Sequence, residues 1–372
     1  MPNPSLEPKL SGELPKYQQI LVDLRRSIAN GTVKVGDRLP SESDLGEHYG
    51  VSRLTVQRAL KELQIESLVE RRAGSGTYVL PPKEVPGHLF GLLIPGLGET
   101  EVFEPMCQGM AKAGQRGGHA LLWGHTAQSA SESKEFLANQ LCDDFISRRV
   151  SGVFFAPLEG IANKDTTNSS ILQRLHSAGI AVVLLDRCVC AWPDRSPFDL
   201  IGIDNRRGGY QITRHLLQMG AKRPVFLAKS HSAPTVDQRF SGFAEALRAK
   251  GMEPGDMIRC DPADRAAIQQ IMSTRKPDAF VCANDVTAAT LMPTLESLGY
   301  EVPNDIRITG FDDVRYSHLL RVPLTTIQQP CQELGETAIF AMLSRLAQPD
   351  LPARDILLDC KLVVRKSCGA LG

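Results

Sequence analysis

Between Leu39 and Val79 the breaking and capping residues of the chain fall in an order that permits few folds. Pro40 cannot continue a helix, Ser41 can cap the next one, and Leu45 and Tyr49 stand four apart on one helical face. Gly50 allows a sharp corner, Val51 can plug the space between two helices, and Ser52 can accept the orphan N–H groups of a second helix. In that second helix Val56, Ala59, Leu60 and Leu63 recur at i, i+3, i+4 and i+7, an apolar stripe that packs on the first helix. Leu68, Val69, Arg71 and Arg72 then lead into Ala73-Gly74-Ser75-Gly76, and Thr77-Tyr78-Val79 returns as a strand. The expected structure is a helix, a tight turn, a second helix and a β-ribbon wing.

The face opposite the apolar stripe carries Leu54, Gln57, Arg58 and Lys61, with Arg53 and Thr55 flanking it near the helix start. Arg can bond a guanine edge bidentately, Gln an adenine edge, and Leu54 can touch a thymine methyl. Arg71 and Arg72 supply phosphate contacts, and the Gly74-Ser75-Gly76 tip lets backbone approach a duplex closely. With Ser41, Ser43 and Ser52 at the helix starts, these residues form the expected DNA-contacting set.

Tyr17-Gln18-Gln19-Ile20, Gly36-Asp37-Arg38-Leu39-Pro40-Ser41-Glu42, Val51-Ser52-Arg53 with Thr55-Val56, and Gly74-x-Gly76-Thr77-Tyr78-Val79 together resemble the winged-helix head of gluconate-repressor (GntR) family regulators. The resemblance implies DNA binding through an arginine after the Pro-Ser-Glu step, one at the start of the recognition helix and one a turn later. This chain keeps the middle one as Arg53, has Ser43 and Gln57 at the other two places, and offers Arg58 as a substitute for the last.

Bulk charge adds nothing to that reading. The 372 residues carry 42 Lys and Arg against 42 Asp and Glu, and the first eighty hold eleven against ten, so the DNA argument rests on where the arginines stand. Nine scattered cysteines show no spacing that suits zinc, no metal or cofactor is expected, and an odd count fits a reducing cytoplasm. No run of eighteen apolar residues exists, and Met1 to Lys16 has prolines and charges where a signal core would be apolar, so neither a membrane nor an export role is expected.

Residues 1–14 are expected to be disordered and residues 15–80 to form the DNA-binding domain, whose first helix carries Tyr17, Ile20, Leu21, Leu24 and Ile28 as a stripe ended by Gly31. Residues 81–88, with Pro81, Pro82 and Pro86, read as a stiff linker. Beyond it, in residues 89–372, short apolar runs alternate with amphipathic helices, the signature of parallel α/β sheets, and about 280 residues are better served by two lobes than by one core. Strands are expected at 89–94, 120–123, 152–156, 181–185, 200–203, 224–227, 279–282, 306–310 and 325–328, with helices among others at 103–116, 131–146, 207–219, 239–250 and 286–298.

Ligands in open α/β sheets sit beyond the carboxyl ends of the strands. Asp186-Arg187, Asn284-Asp285, Asp312-Asp313 and Gln328-Gln329 each follow an apolar run, and Arg239 is expected to open the helix after the 224–227 strand. Carboxylates, an amide and two guanidinium forks on one cleft suit vicinal hydroxyls, hence a sugar. Ile180 to Arg187, Asp204-Asn205-Arg206-Arg207-Gly208, His215-Leu216 with Gly220, Arg239 with Gly242-Phe243, Ala283-Asn284-Asp285, Gly310-Phe311-Asp312-Asp313 and Pro323 to Ile327 resemble the effector domain of lactose/galactose-repressor family proteins, akin to periplasmic sugar-binding proteins. That resemblance implies two lobes joined by three crossovers, a homodimer, and effector contacts at Asp186, Arg187, Arg239, Asn284, Asp312 and Gln329, with Asp285 bracing the pocket. The loop from Pro95 to Phe103 lacks the usual Asn-Pro-Phe-Phe step, leaving Phe103 to stack on a ring, and Ala156 stands where sugar binders often have Asn. Cys188 and Cys190 lead to Trp192, which could lie against an apolar sugar face, but the segment reads first as ordinary loop with a thiol pair of no redox role.

The expected function is a dimeric, sugar-responsive transcription regulator, most simply a repressor. A purine or other metabolite as effector is the alternative within that class. An enzyme fused to a DNA-binding head has little support, because the chain offers no cofactor-lysine context, no G-x-S-x-G and no phosphate-binding loop.

Overall fold

A computed structural model describes residues 15–65, 68–72, 74–80, 87–95, 97, 101–123, 133–190 and 193–370. The expected disordered segment 1–14, residues 81–86 of the expected linker, Ala73 of the wing and Trp192 lie outside the described residues. The chain divides into two compact units, Met1–Pro86 and Gly87–Gly372.

In the first unit α1 (Lys16–Ala29), α2 (Glu42–Tyr49) and α3 (Arg53–Ile65) are followed by the antiparallel ribbon β1 (Val69–Arg72) and β2 (Gly76–Val79). Ser41 caps α2 in a reciprocal box: its hydroxyl accepts from Asp44 N–H at 3.2 Å while the Asp44 carboxylate accepts from Ser41 N–H at 3.1 Å. Val56, Ala59, Leu60 and Leu63 are buried together with Ile20, Leu24, Leu45 and Tyr49, so the helical stripe makes the core of the head. Gly76 sits at φ +127°, and a Cβ there would collide with the Arg38 guanidinium, so the turn into β2 needs a glycine.

The second unit runs β3 (Leu89–Leu93), α4 (Phe103–Arg116), β4 (Ala120–Trp123), α5 (Lys134–Ser147), β5 (Gly152–Phe155), α6 (Lys164–Ser177), β6 (Ala181–Leu185) and β7 (Asp199–Ile203). It continues through α7 (Asn205–Gln218), β8 (Pro224–Ala228), α8 (Pro234–Arg248), β9 (Ile258–Arg259), α9 (Arg265–Arg275), β10 (Ala279–Cys282), α10 (Asp285–Ser297) and β11 (Arg307–Thr309). It closes with β12 (Thr326–Gln328), α11 (Cys331–Ala347), β13 (Asp355–Leu358) and β14 (Lys361–Val363). One parallel sheet has the order β13-β7-β6-β5-β3-β4, the other β11-β10-β8-β9, and the antiparallel pair β12-β14 extends the second through a bridge from Thr309 to Thr325.

The chain passes between the sheets three times, after β7, after β12 and between β13 and β14, which makes two lobes joined by three strands of chain. β5 and most of β6 are buried on both faces, which explains their continuous apolar runs, GVFF and AVVLL. Helix α8 does not begin at Arg239 as the sequence reading has it. It begins at Pro234, whose fixed φ suits a first helical turn, and Arg239 therefore lies in the second turn, aimed inward and 5% exposed. The helical period alone cannot tell where such a helix starts, because Thr235 and Val236 continue the buried face. Gly209 and Gly242 bring α7 and α8 backbone to backbone: a Cβ on Gly242 would fall on the Arg206 carbonyl oxygen, and one on Gly209 on that of Arg239. This close approach carries Arg239 to the start of α7.

Candidate functional site: a groove in the head and polar clusters in the body

In the head, a groove of about 1050 Å³ opens between the starts of α2 and α3 and the wing. Ser41, Ser43, Ser52, Arg53, Arg71, Arg72, Gly74, Ser75 and Gly76 line it. Leu54, Thr55, Gln57, Arg58 and Lys61 do not; Leu54, Arg58 and Lys61 lie exposed along α3, Leu54 at 77%.

Glu42, which the sequence reading passed over, organises this surface. Its Oε2 accepts from Arg53 Nε at 2.6 Å and from Gln57 Nε2 at 2.9 Å, and its Oε1 from Arg71 Nη2 at 2.5 Å. These bonds, Arg53 first and Gln57 next, hold the Glu42 carboxyl below the usual carboxylate range. Ion pairs this exposed add little stability. Their consequence is geometric, since one carboxylate fixes an arginine at the start of α3, a glutamine one turn on and an arginine on the wing. Arg72 pairs with Glu70 and lies 4.7 Å over the Tyr78 ring, and the Ser75 hydroxyl is 2.7 Å from Tyr78 OH, so the wing tip is ordered from within. Arg58 turns away: its guanidinium stacks at 4.0 Å on Tyr17 of α1. Arg38, a second omission, lines the groove and bridges to Tyr78 of the wing.

In the body, the polar residues named from strand ends meet at the carboxyl ends of the two sheets. On the first lobe Arg187 is 7% exposed; its Nε donates to Asp186 Oδ2 at 2.9 Å and its Nη1 pairs with Glu159 at 2.5 Å. Burial opposes the Arg187 charge, but the Asp186 and Glu159 carboxylates outweigh it and raise its pKa further. Its guanidinium lies 5.9 Å from the Phe103 ring at the start of α4. On the second lobe Arg239 Nε donates to Asn205 Oδ1 at 2.8 Å, Nη1 to the Ala283 carbonyl at 2.7 Å, and Nη2 lies 3.5 Å from Asp312 Oδ1. The same guanidinium stacks on Phe311 at 3.7 Å. Gln329 Nε2 donates to Asp312 Oδ1 at 2.7 Å.

Burial is the main reason the Asp312 carboxyl is pushed up to about 6; Arg239 and Gln329 pull it down, while Asp186 and Glu159, on the opposite lobe, push it up. Asn284 contributes less than expected: its Oδ1 caps α10, accepting from Thr287 N–H at 2.9 Å and from the Thr287 hydroxyl at 2.7 Å. Asp285 is fully buried and binds Thr326 Oγ1 at 2.6 Å and Val314 N–H at 3.0 Å, tying β12 and the loop after β11 to α10; burial, then Asp312, raises its carboxyl to about 8. Asp312 and Gln329 also line a cavity of about 380 Å³ beside the crossovers, shared with Glu101, Arg315 and Lys361. There Arg315 joins the lobes, its N–H to Glu101 at 2.5 Å and its Nη2 to Glu104 at 2.7 Å.

Glu159 and Asn205 were not singled out from the sequence. Glu159 falls four residues past the end of β5, where Ala156 is apolar, and Asn205 lies in the Asp204-Asn205 step already noted. Among the described residues no group of three or more His, Cys, Asp or Glu has the arrangement of a metal site, and no helix is long and apolar enough to cross a membrane.

Comparison with known proteins agrees with this geometry at the level of domains. Residues 16–79 match the model of bacterial regulatory proteins of the gntR family, and residues 213–368 that of a periplasmic binding protein-like domain. The chain is 26% identical over 381 aligned residues to an arabinose metabolism transcriptional repressor of Geobacillus stearothermophilus, covering 95% of this chain and 98% of that one. It is 32% identical over 191 residues, 49% of this chain and 57% of that one, to the HTH-type transcriptional repressor PurR of Photobacterium profundum. The solved structure of the transcriptional regulator CelR in complex with cellobiose superposes with a TM-score of 0.63 at 22% identity, over 85% of this chain and 90% of that one. At that identity the superposition establishes the fold.

Proposed function

From a chain that joins a gntR-family DNA-binding head to a periplasmic-binding-protein-like body, we propose a cytoplasmic, homodimeric transcriptional repressor. Its hold on operator DNA is set by a sugar bound between the lobes. The observation that carries the effector reading is a buried, paired polar cluster at the strand ends of each lobe, Asp186, Arg187 and Glu159 on one and Arg239, Asp312 and Gln329 on the other. Carboxylates held rigidly by guanidinium groups, with Phe103 at the edge, suit a ring bearing several hydroxyls, and a guest lacking one of them leaves a buried acceptor unpaired.

The proposed duplex contacts are Arg53, Arg71, Arg72, Ser41, Ser43, Ser52 and the Gly74 to Gly76 tip, with Leu54, Thr55, Gln57, Arg58 and Lys61 along the exposed helix. A guest that binds the closed lobes better than the open ones shifts the population between them. In a dimer that shift changes how well two heads enter major grooves one turn apart.

A thermal-shift screen of pentoses, hexoses and disaccharides tests the effector reading, since a specific guest raises the midpoint by mass action. A midpoint unmoved at millimolar sugar would end it. A purine effector is the second reading, favoured by the 32% identity to a repressor named PurR over half of the chain, and purine bases belong in the same screen.

A further inference from the structure

Four arginines line the groove of the head, Arg38, Arg53, Arg71 and Arg72, together with the carboxylates Glu42 and Glu47. Arg53 and Arg71 both pair with Glu42, and Arg72 pairs with Glu70. Among the described residues neither Arg38 nor Glu47 forms a side-chain ion pair or hydrogen bond, so Arg38 is the groove arginine that no carboxylate holds. Its place is fixed all the same. Leu39 N–H donates to the Thr77 carbonyl at 2.8 Å and Val79 N–H to the Asp37 carbonyl at 3.0 Å, and Arg38 itself bridges to Tyr78, so this segment runs as a short third strand beside β2. The guanidinium lies against Gly76, where any Cβ would collide with it, and that bare position admits the arginine beside the wing turn.

We propose that Arg38 is the backbone anchor of the head, binding a phosphate of the duplex and supplying a sequence-independent hold, while Arg53 on α3 addresses the bases. The proposal rests on the reading of the head as a DNA-binding domain. Binding releases counterions in proportion to the phosphates that protein cations neutralise. An arginine that already has a carboxylate partner does this poorly, because the carboxylate it leaves stays in place and repels the incoming phosphate. Arg53, Arg71 and Arg72 carry that handicap, and Arg38 does not. Its planar fork can take two oxygens of one phosphate at once. It also reaches the groove from a strand beside the wing, with backbone bonds on either side of it, and a contact of this kind fixes register on the duplex without carrying sequence information.

The test is a fluorescence-anisotropy titration of the full chain at several salt concentrations, on a duplex selected from a random pool and on an unrelated duplex. Arg38→Met keeps an unbranched stem against Gly76 and removes the charge. It is expected to lower the slope of log affinity against log salt by about 0.9 on both duplexes, and to weaken both equally, by about tenfold near 0.1 M salt. Arg38→Lys, which keeps the charge, is expected to hold the wild-type slope. Replacing a carboxylate-bound arginine together with its partner, Arg72→Met with Glu70→Gln, leaves net charge unchanged and is expected to leave the slope unchanged too. A wild-type slope in Arg38→Met overturns the inference, as does a loss confined to the selected duplex, which would make Arg38 a base contact. A slope lowered in Arg38→Lys, or lowered as far by the double replacement as by Arg38→Met, overturns it as well. In each of these cases the DNA-binding reading stands. If the wild-type chain binds neither duplex, that reading fails and the inference with it.

Discussion

Glu42 accepts a hydrogen bond from Arg53 Nε at 2.6 Å, which joins the first turn of α2 to the first turn of α3 on the surface proposed to meet the duplex. Bound through Nε, the guanidinium keeps the Nη edge that a guanine requires. Arg53→Ala is expected to weaken operator binding by about 10- to 100-fold, the cost of one bidentate base contact. Glu42→Gln is expected to weaken it less but measurably, because one of the two oxygens that accept from Arg53, Gln57 and Arg71 becomes an NH2 donor and the charge is lost. A gel-shift titration on duplexes selected from a random pool reads both, and affinity unchanged in Arg53→Ala would contradict the recognition surface.

Arg58 is expected to matter less than Arg53, since its guanidinium is stacked on Tyr17 at 4.0 Å. In the same titration Arg58→Ala should lose less affinity than Arg53→Ala. A larger loss would mean that the stack breaks on DNA and that Arg58 is the principal reader.

Asp285 gives the body a pH dependence whose sign follows from its raised pKa. Its carboxyl ionises near the ordinary 3.8 when unfolded and at about 8 when folded. Its neutral form thus favours the fold, fully below about pH 4, and that contribution is lost as pH rises through 8. Urea unfolding followed by tryptophan fluorescence reports on the body alone, because Trp123 and Trp192 both lie beyond residue 86. Stability should fall from pH 5 to 8 more steeply in the wild type than in Asp285→Asn, which stays neutral and can still bond Thr326 and Val314. Equal slopes would show that Asp285 is ionised throughout.

The contact between α7 and α8 predicts a stability effect that also reaches the cleft. In Gly242→Ala the added methyl meets the Arg206 carbonyl, and overpacking of this kind costs about 1–3 kcal/mol. The same urea titration should register that loss. A change below about 0.5 kcal/mol, within the range of an ordinary surface substitution, would mean that the two helices can part freely.

Arg315 joins the lobes through Glu101 and Glu104. Its side chain is 70% exposed, and such pairs contribute up to about 1 kcal/mol. Arg315→Ala should therefore weaken sugar binding by about fivefold or less, through easier opening, and shift operator affinity in the absence of sugar by no more than that factor. A loss as complete as that in Asp312→Ala would place Arg315 among the direct contacts.

The head was legible because each of its local devices is written in consecutive residues: the Ser41 cap, the corner at Gly50, the Val56 to Leu63 stripe and the Gly74 to Gly76 turn. The parallel strands were legible for the same reason, as short, mostly apolar runs followed by Asp186, Asn284 and Asp312. The two-residue strand β9 and the crossover strands β13 and β14 were not, since short, half-exposed segments such as DILL and KLV show no burial pattern until their partners are known. The same limit hid Glu42 and Glu159. Both act by accepting from arginines brought to them by the fold, eleven and 29 residues away for Glu42 and 28 for Glu159, and no local spacing marks them. Arg187 and Arg239 were read as effector contacts, and the sequence did not announce the protein partners each of them also has, Asp186 and Glu159 for the first and Asn205, the Ala283 carbonyl and Asp312 for the second.

The most direct test of the account is the operator affinity of one preparation measured with and without the sugar that raises its thermal midpoint. Coupling between cleft and head predicts a change of about 5- to 150-fold, corresponding to 1–3 kcal/mol, that disappears in Asp312→Ala and Arg239→Ala while their operator affinity without sugar stays at the wild-type value. An operator affinity that saturating sugar leaves unchanged would contradict it.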